Sequence, residues 1–233
     1  MKTKILITTA ALMAGSLLTA CAGPADDVTS AAQKLGNEAS YSWHTTVVVP
    51  ADSRYKPGPT TGKIIKGAVT YVKTSFRNNT TEVYMKGTNA VLTDPDGGWQ
   101  TLADAESDNQ GPARFIGGMI RNFKGPATQA AELVADCQNL TQTNGAYVSD
   151  LTADGAKKLL TFRRGGNATI SDPSGTATFW VANGELTKCE VHVKGTMTFN
   201  DNPVPVDRDT TTEISDVGTT AITLPDDVKK LMP

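Results

Sequence analysis

The sequence predicts an α+β fold, mainly antiparallel β, made of one sheet with its helices gathered on one face. Two blocks of strand-like sequence, in which apolar and polar residues alternate, flank a middle third whose apolar residues recur at helical spacing. Turn dipeptides such as Asn144-Gly145 and Asn183-Gly184 join neighbouring strand-like runs at hairpin distance. No period of the kind that marks a solenoid or propeller is visible. Together these favour an antiparallel sheet with helices packed against it.

The chain begins with an address. Lys2 and Lys4 give a short positive start, and Ile5 to Leu18 form an apolar run broken only by Thr, Gly and Ser. That run is shorter than the roughly 20 apolar residues needed to span a bilayer, so a secretory signal over residues 1–20 is the stronger reading. It ends in Leu18-Thr19-Ala20-Cys21, which resembles the lipobox of bacterial lipoproteins. The resemblance implies cleavage before Cys21, diacylglycerol on its thiol and acylation of the new amine. The competing reading is an ordinary signal peptide with a chance cysteine after its cleavage site. Two or more acyl chains hold a protein firmly on a membrane, whereas one does so marginally. Residues 21–25 read as a lipidated tether and residues 26–233 as a single domain in the cell envelope, on the outer membrane or on the outer face of the cytoplasmic membrane.

Composition narrows the partners. The 22 basic and 24 acidic residues leave a formal net charge of −2, with no basic stripe to meet nucleic acid. About 210 mature residues suffice to bury a real core. With Cys21 set aside, Cys137 and Cys189 are an even pair in an oxidising compartment, and a disulfide and two buried thiols both remain open.

Val28, Ala31, Ala32 and Leu35 mark one face of a first helix, which Gly36 ends. From Tyr41 the period becomes two, with Tyr41, Trp43, Val47 and Val49 opposed to the polar Ser42, His44 and Thr46. Asp52 to Gly62, containing Pro57-Gly58-Pro59, reads as a loop, and Lys63–Phe76 as one long strand. Strands follow near Thr81–Met85, Ala90–Thr93 and Trp99–Leu102, the last two around the hairpin signal Asp94-Pro95-Asp96-Gly97-Gly98. Arg114–Phe123 then carries Phe115, Ile116, Met119, Ile120 and Phe123 as a helical stripe around Gly117-Gly118. Pro126 opens a second helix at a position where its missing N–H costs nothing. Ala130, Leu133, Val134 and Cys137 share a face of it. Strands return at Asn139–Gln142 and Ala146–Leu151, and Thr152 is placed to cap a helix holding Ala156, Leu159 and Leu160. Thr176–Ala182, Glu185–Phe199, Asp207–Val217 and Thr219–Leu224 read as strands, before a short terminal helix from Pro225.

This order of elements resembles the bacterial lipoprotein-carrier superfamily, the LolA/LolB-like and LppX/LprG-like envelope lipoproteins. The residues that carry it are Gly175-Thr176-Ala177-Thr178-Phe179-Trp180-Val181 with Asn183-Gly184-Glu185-Leu186-Thr187-Lys188, and the closing Thr211 to Gly218 and Ile222 to Pro225. The resemblance implies a curved half-barrel sheet whose concave face is covered by helices, with a cavity for a lipid or other hydrophobic ligand between them. It implies no catalytic residue. Trp43 and Val47 on the sheet, with Phe115, Met119, Ile120 and Phe123 on the covering helix, are the ligand-binding candidates. Met is adaptable and a Gly-Gly pair permits bending, which suits a lid; a helix that simply packs on a filled core is the plainer alternative.

Other chemistry finds little support. His44 and His192 fall on the polar sides of their strands, no G-x-S-x-G elbow exists, and no Gly-rich phosphate loop follows a strand. Asp94 and Asp96 serve a turn, and with Asp104 they lack the spacing of a calcium loop. The expectation is a non-enzyme without metal or cofactor. The rival function is a protein-interaction or sensor module on the same fold, with another envelope protein as partner.

Overall fold

The structure, a computed structural model, describes residues 23–53, 56–76, 79–94, 96–107, 117–118, 120–161 and 169–232, with the backbone alone for Phe76. Two antiparallel meanders make one curved sheet. The first runs β1 (Ser40–Val48), β2 (Pro57–Ile65), β3 (Val69–Phe76), β4 (Asn79–Lys86), β5 (Asn89–Thr93) and β6 (Trp99–Thr101). The second runs β7 (Thr141–Thr143), β8 (Ala146–Asp150), β9 (Thr169–Ala182), β10 (Glu185–Phe199) and β11 (Asn202–Ser215). They join where the first strand pairs with the last, Trp43 opposite Ile214 and Thr45 opposite Thr212, giving the order β6-β5-β4-β3-β2-β1-β11-β10-β9-β8-β7.

The helices are α1 (Pro24–Asn37), α2 (Leu102–Ser107), α3 (Pro126–Ala135), α4 (Ala153–Leu160) and α5 (Asp226–Leu231). Helix α1 takes in residues that the sequence assigned to the tether. Pro24 stands at its start and the Gly23 N–H donates to Asp26 Oδ2 at 3.1 Å, so the first turn is capped early. Its buried residues are Val28, Ala31, Ala32 and Leu35, the four that set its periodicity. Thr152 Oγ1 accepts from the Gly155 N–H at 3.0 Å and caps α4 as its sequence position predicts.

The sheet has two differently used faces. On the concave side Tyr41, Trp43, Phe179 and Val193 join α1, α3 and α4 in the main core, and Val83, Ala90 and Leu92 pack against Leu102 and Ala105 of α2. On the convex side Tyr84 and Val91 bury Val228 and Met232. The terminal helix α5 therefore covers the convex face, whereas the sequence placed all helices on the concave one.

Two strand assignments also change. Lys63–Phe76 is not one strand: the chain turns at Gly67, whose φ of +71° suits a residue without Cβ, and β3 returns antiparallel along β2. Strand β2 reaches back to Pro57, inside the expected loop. Prolines are tolerated there because β1 pairs only with Thr60–Ile65, so Pro57 and Pro59 withhold no N–H from that ladder. Thr219–Leu224 is no strand either. After β11 the chain leaves the sheet through Asp216 and Gly218, both at positive φ, and Ile222 and Leu224 tuck under the convex cluster. Burial of alternate side chains without a partner strand mimics strand periodicity.

Candidate functional site

A cleft of about 860 Å³ lies between the concave side of β1, β10 and β11 and the helices α3 and α4. Strand pairing sets its sheet wall. Trp43, Thr45 and Val47 of β1 face Ile214, Thr212 and Thr210 of β11, and Thr212 and Thr210 in turn face Cys189 and Val191 of β10. Val47, Val191, Cys189 and Ile214 supply apolar surface on this wall; Ala130, Leu133 and Leu159 supply it on the helices. A volume of this size sits near the top of the ~300–1,000 Å³ range of small-molecule sites.

A band of hydroxyls crosses the concave face. Thr81, Thr74, Thr60, Thr45 and Thr212 are successive register partners on five adjacent strands. Thr45 and Thr212 share a hydrogen bond of 2.9 Å, and Thr60 donates to Thr74 at 3.0 Å. Threonine satisfies the β-branched preference of a strand while placing a hydroxyl where valine would put a methyl. The helix wall carries its charges in pairs: Lys158 Nζ lies 2.5 Å from Asp136 Oδ1, and Lys124 Nζ 2.5 Å from Glu132 Oε1.

The sequence candidates divide. Val47 lines the cleft. Trp43 and Phe123 meet beneath it, ring centroids 6.0 Å apart, and both belong to the core rather than to the cleft lining. Trp43 is buried to 5% exposure, its indole lying across Gly62. Ile120 packs on the separate cluster of β4, β5 and α2. Phe115, Met119 and Cys21 lie outside the described residues. Helix α3, from which the sequence drew no ligand-binding candidate, forms much of the cleft wall. The available signal was its second face, where Gln129 and Glu132 flank Ala130 and Leu133.

Both remaining cysteines are free thiols, so the disulfide reading is not realised in the structure. Cys137 Sγ donates to Leu133 O at 3.3 Å, an interaction that satisfies it within its own chain segment. Burial pushes the Cys137 thiol up to about 11, opposed by a hydrogen bond with Ser149 and assisted by Asp136. Burial likewise pushes Cys189 up to about 12, with the neighbouring Cys137 and Glu190 adding to it. Both thiols therefore stay protonated at neutral pH and react slowly with iodoacetamide until the protein is denatured. Mass spectrometry of unreduced, denatured and alkylated protein should find labels on Cys137 and Cys189; an unlabelled pair two protons lighter would establish the bridge. Because folding raises both pKa values above the ordinary 9.0, their contribution to stability is complete below about pH 9 and is lost as pH rises through 11 to 12.

Histidines stand away from the cleft. His192 Nε2 pairs with Asp207 Oδ1 at 2.8 Å on the exposed convex face. Among the described residues no three or more His, Cys, Asp or Glu stand together to hold a metal ion. No helix among them is long and apolar enough to cross a membrane.

No family model matches the chain, and no curated protein matches it. Solved structures do resemble it. The crystal structure of lipoprotein LppX from Mycobacterium tuberculosis aligns over 85% of this chain and 97% of that one, with a TM-score of 0.49 and 10% identity. LprF from Mycobacterium bovis aligns over 88% of this chain and 96% of its own, at a TM-score of 0.46 and 12% identity. A DUF1329 family protein from Desulfovibrio piger gives a TM-score of 0.31 and 10% identity over 88% of this chain and 97% of its own. LppX belongs to the LppX/LprG-like group that the sequence resembles. With every TM-score below 0.5, these likenesses transfer no residue role to this chain.

Proposed function

We propose that this protein is a lipid-anchored envelope lipoprotein, attached through Cys21, that binds or carries a lipid or another hydrophobic ligand between its sheet and helices α3 and α4. The observation that carries the reading is the cleft of about 860 Å³, walled by Val47, Val191 and Ile214 on one side and Ala130, Leu133 and Leu159 on the other. An apolar wall facing another across empty volume loses dispersion contacts that a hydrocarbon chain restores. At ~25 cal/mol per Å² of apolar surface removed from water, each well-buried acyl methylene adds somewhat under 1 kcal/mol before ordering costs. Chain length therefore governs affinity more strongly than the head group. The protein works by reversible burial, with no bond made or broken. A titration with long-chain fluorescent alcohols of increasing length tests this: affinity should climb steadily with length, and a flat response would refute burial of the chain.

Attachment is tested separately. Labelled palmitate should enter the wild-type protein and fail to enter Cys21→Ser, which leaves unprocessed precursor or a soluble species. Incorporation into Cys21→Ser would rule out the lipobox reading.

A further inference from the structure

The cleft carries neutral polar groups as well as apolar surface, and their hydrogen bonds sort them. Asn122 Nδ2 donates to Gly118 O at 2.7 Å, Gln129 Nε2 to Lys124 O at 2.5 Å and the Thr161 hydroxyl to Lys157 O at 2.7 Å, so each is turned back on its own segment. On the sheet wall the Thr212 hydroxyl shares its bond of 2.9 Å with Thr45. Thr210 differs. It lines the cleft half-buried, and among the described residues its hydroxyl has no hydrogen-bond partner. Its register partners are Val47 on β1 and Val191 on β10, both in the same wall. Thr210 therefore sets one open O–H between two valines, on a surface that water reaches in the unliganded protein.

We infer that Thr210 decides which chains the cleft accepts, by donating to an uncharged carbonyl oxygen set part-way along the ligand's hydrocarbon. The inference rests on the carrier reading above and adds ligand class to it. Small-molecule sites are mostly apolar, and the few polar groups on their walls fix orientation and specificity. A saturated chain laid over Val47, Thr210 and Val191 takes water from the hydroxyl and returns nothing, which leaves a covered donor unpaired. A carbonyl oxygen at the same height accepts that O–H, so the two desolvated groups compensate each other. With valine in place of Thr210 the preference runs the other way, because a carbonyl covered by hydrocarbon alone loses its own hydration.

The test uses the full chain in phosphatidylcholine nanodiscs, with empty nanodiscs subtracted. Bound cis-parinaric acid is displaced by stearic acid and by ketostearic acids that differ only in the position of the carbonyl. All carry the same carboxylate, so the charges of the cleft act on them alike. Wild type should favour the carbonyl at one stretch of the chain over its other positions. In Thr210→Val the ratio of affinities, best ketostearic acid to stearic acid, should fall about tenfold, the effect of one covered hydroxyl losing its partner. Partition into the disc is common to both proteins and cancels in that comparison. Valine suits a strand as well as threonine does, so the fold accepts the change. Thr210→Ser keeps the hydroxyl and should keep the preference. A ratio that survives Thr210→Val, or affinity indifferent to carbonyl position in wild type, would overturn the role of Thr210 while leaving the carrier reading intact. Loss of the preference in Thr210→Ser as well would also overturn it, by assigning the effect to shape. Binding of neither the probe nor any competitor by wild type would overturn the carrier reading itself.

Discussion

Gly62→Val is expected to lower stability by roughly 3 kcal/mol or more, a large share of the ~5–15 kcal/mol that holds a domain folded. Gly62 is the register partner of Trp43 on β1, and the indole lies across it. A Cβ at that position would collide with Cζ2, Cη2 and Cε2 of the ring. Trp43 has nowhere to retreat: it is 5% exposed and stands between Tyr41, at a centroid distance of 6.1 Å, and Phe123, at 6.0 Å. The substitution must therefore displace either the ring or the strand beneath it. Urea melts followed by tryptophan fluorescence measure the loss; a midpoint equal to that of wild type would show that Gly62 is not needed for the approach of the ring.

Val47→Asp is expected to weaken binding of a long-chain fluorescent alcohol by ten- to a hundredfold, about 1.4–2.7 kcal/mol, with the circular dichroism spectrum unchanged. Val47 lies one residue from the end of β1, half-buried on the cleft wall. In the unliganded protein a carboxylate there keeps contact with water, so the fold accepts it. Its register partner is Thr210, which offers a hydroxyl and no charge. Once hydrocarbon covers the position the carboxylate loses its hydration, and that cost falls on the bound state alone. Unaltered affinity would show that the ligand does not reach this wall.

Much of the fold was legible wherever local chemistry and tertiary demand coincide. Asn144-Gly145 and Asn183-Gly184 have φ of 51° and 80°, and 54° and 72°, the left-handed pairs that tight hairpins require. Helix α1 is amphipathic because a single face is buried, and its apolar spacing reads without ambiguity. Strand β2 was hidden because Pro57-Gly58-Pro59 reads as a loop, while Gly67 alone marks the turn that follows. No local rule reveals that pairing with β1 stops before those prolines. Similarly, Val228 and Leu231 show that α5 is amphipathic but not which face of the sheet receives it.

The candidate site was less legible, because a cleft is a property of two walls. The apolar stripe around Phe123 drew notice, yet Phe123 is spent on the Trp43 ring and Ile120 on the β4–β5 cluster. Helix α3 was overlooked because Ala130 and Leu133 look like ordinary core residues; the gap between them and β10 is invisible until the sheet curves.

On the proposed function, the cleft between sheet and helices holds a hydrophobic molecule. Native mass spectrometry of the full-length protein, extracted gently from its own membrane and released from detergent in the gas phase, tests it most directly. A carrier should give a second series of peaks, heavier than the acylated chain by the mass of one noncovalently held amphiphile and lost on mild collisional activation. That adduct should weaken in Val47→Asp. A single series at the mass of the acylated chain, together with no adduct after incubation with long-chain acids or alcohols, would contradict the claim and favour a protein-interaction module on the same fold.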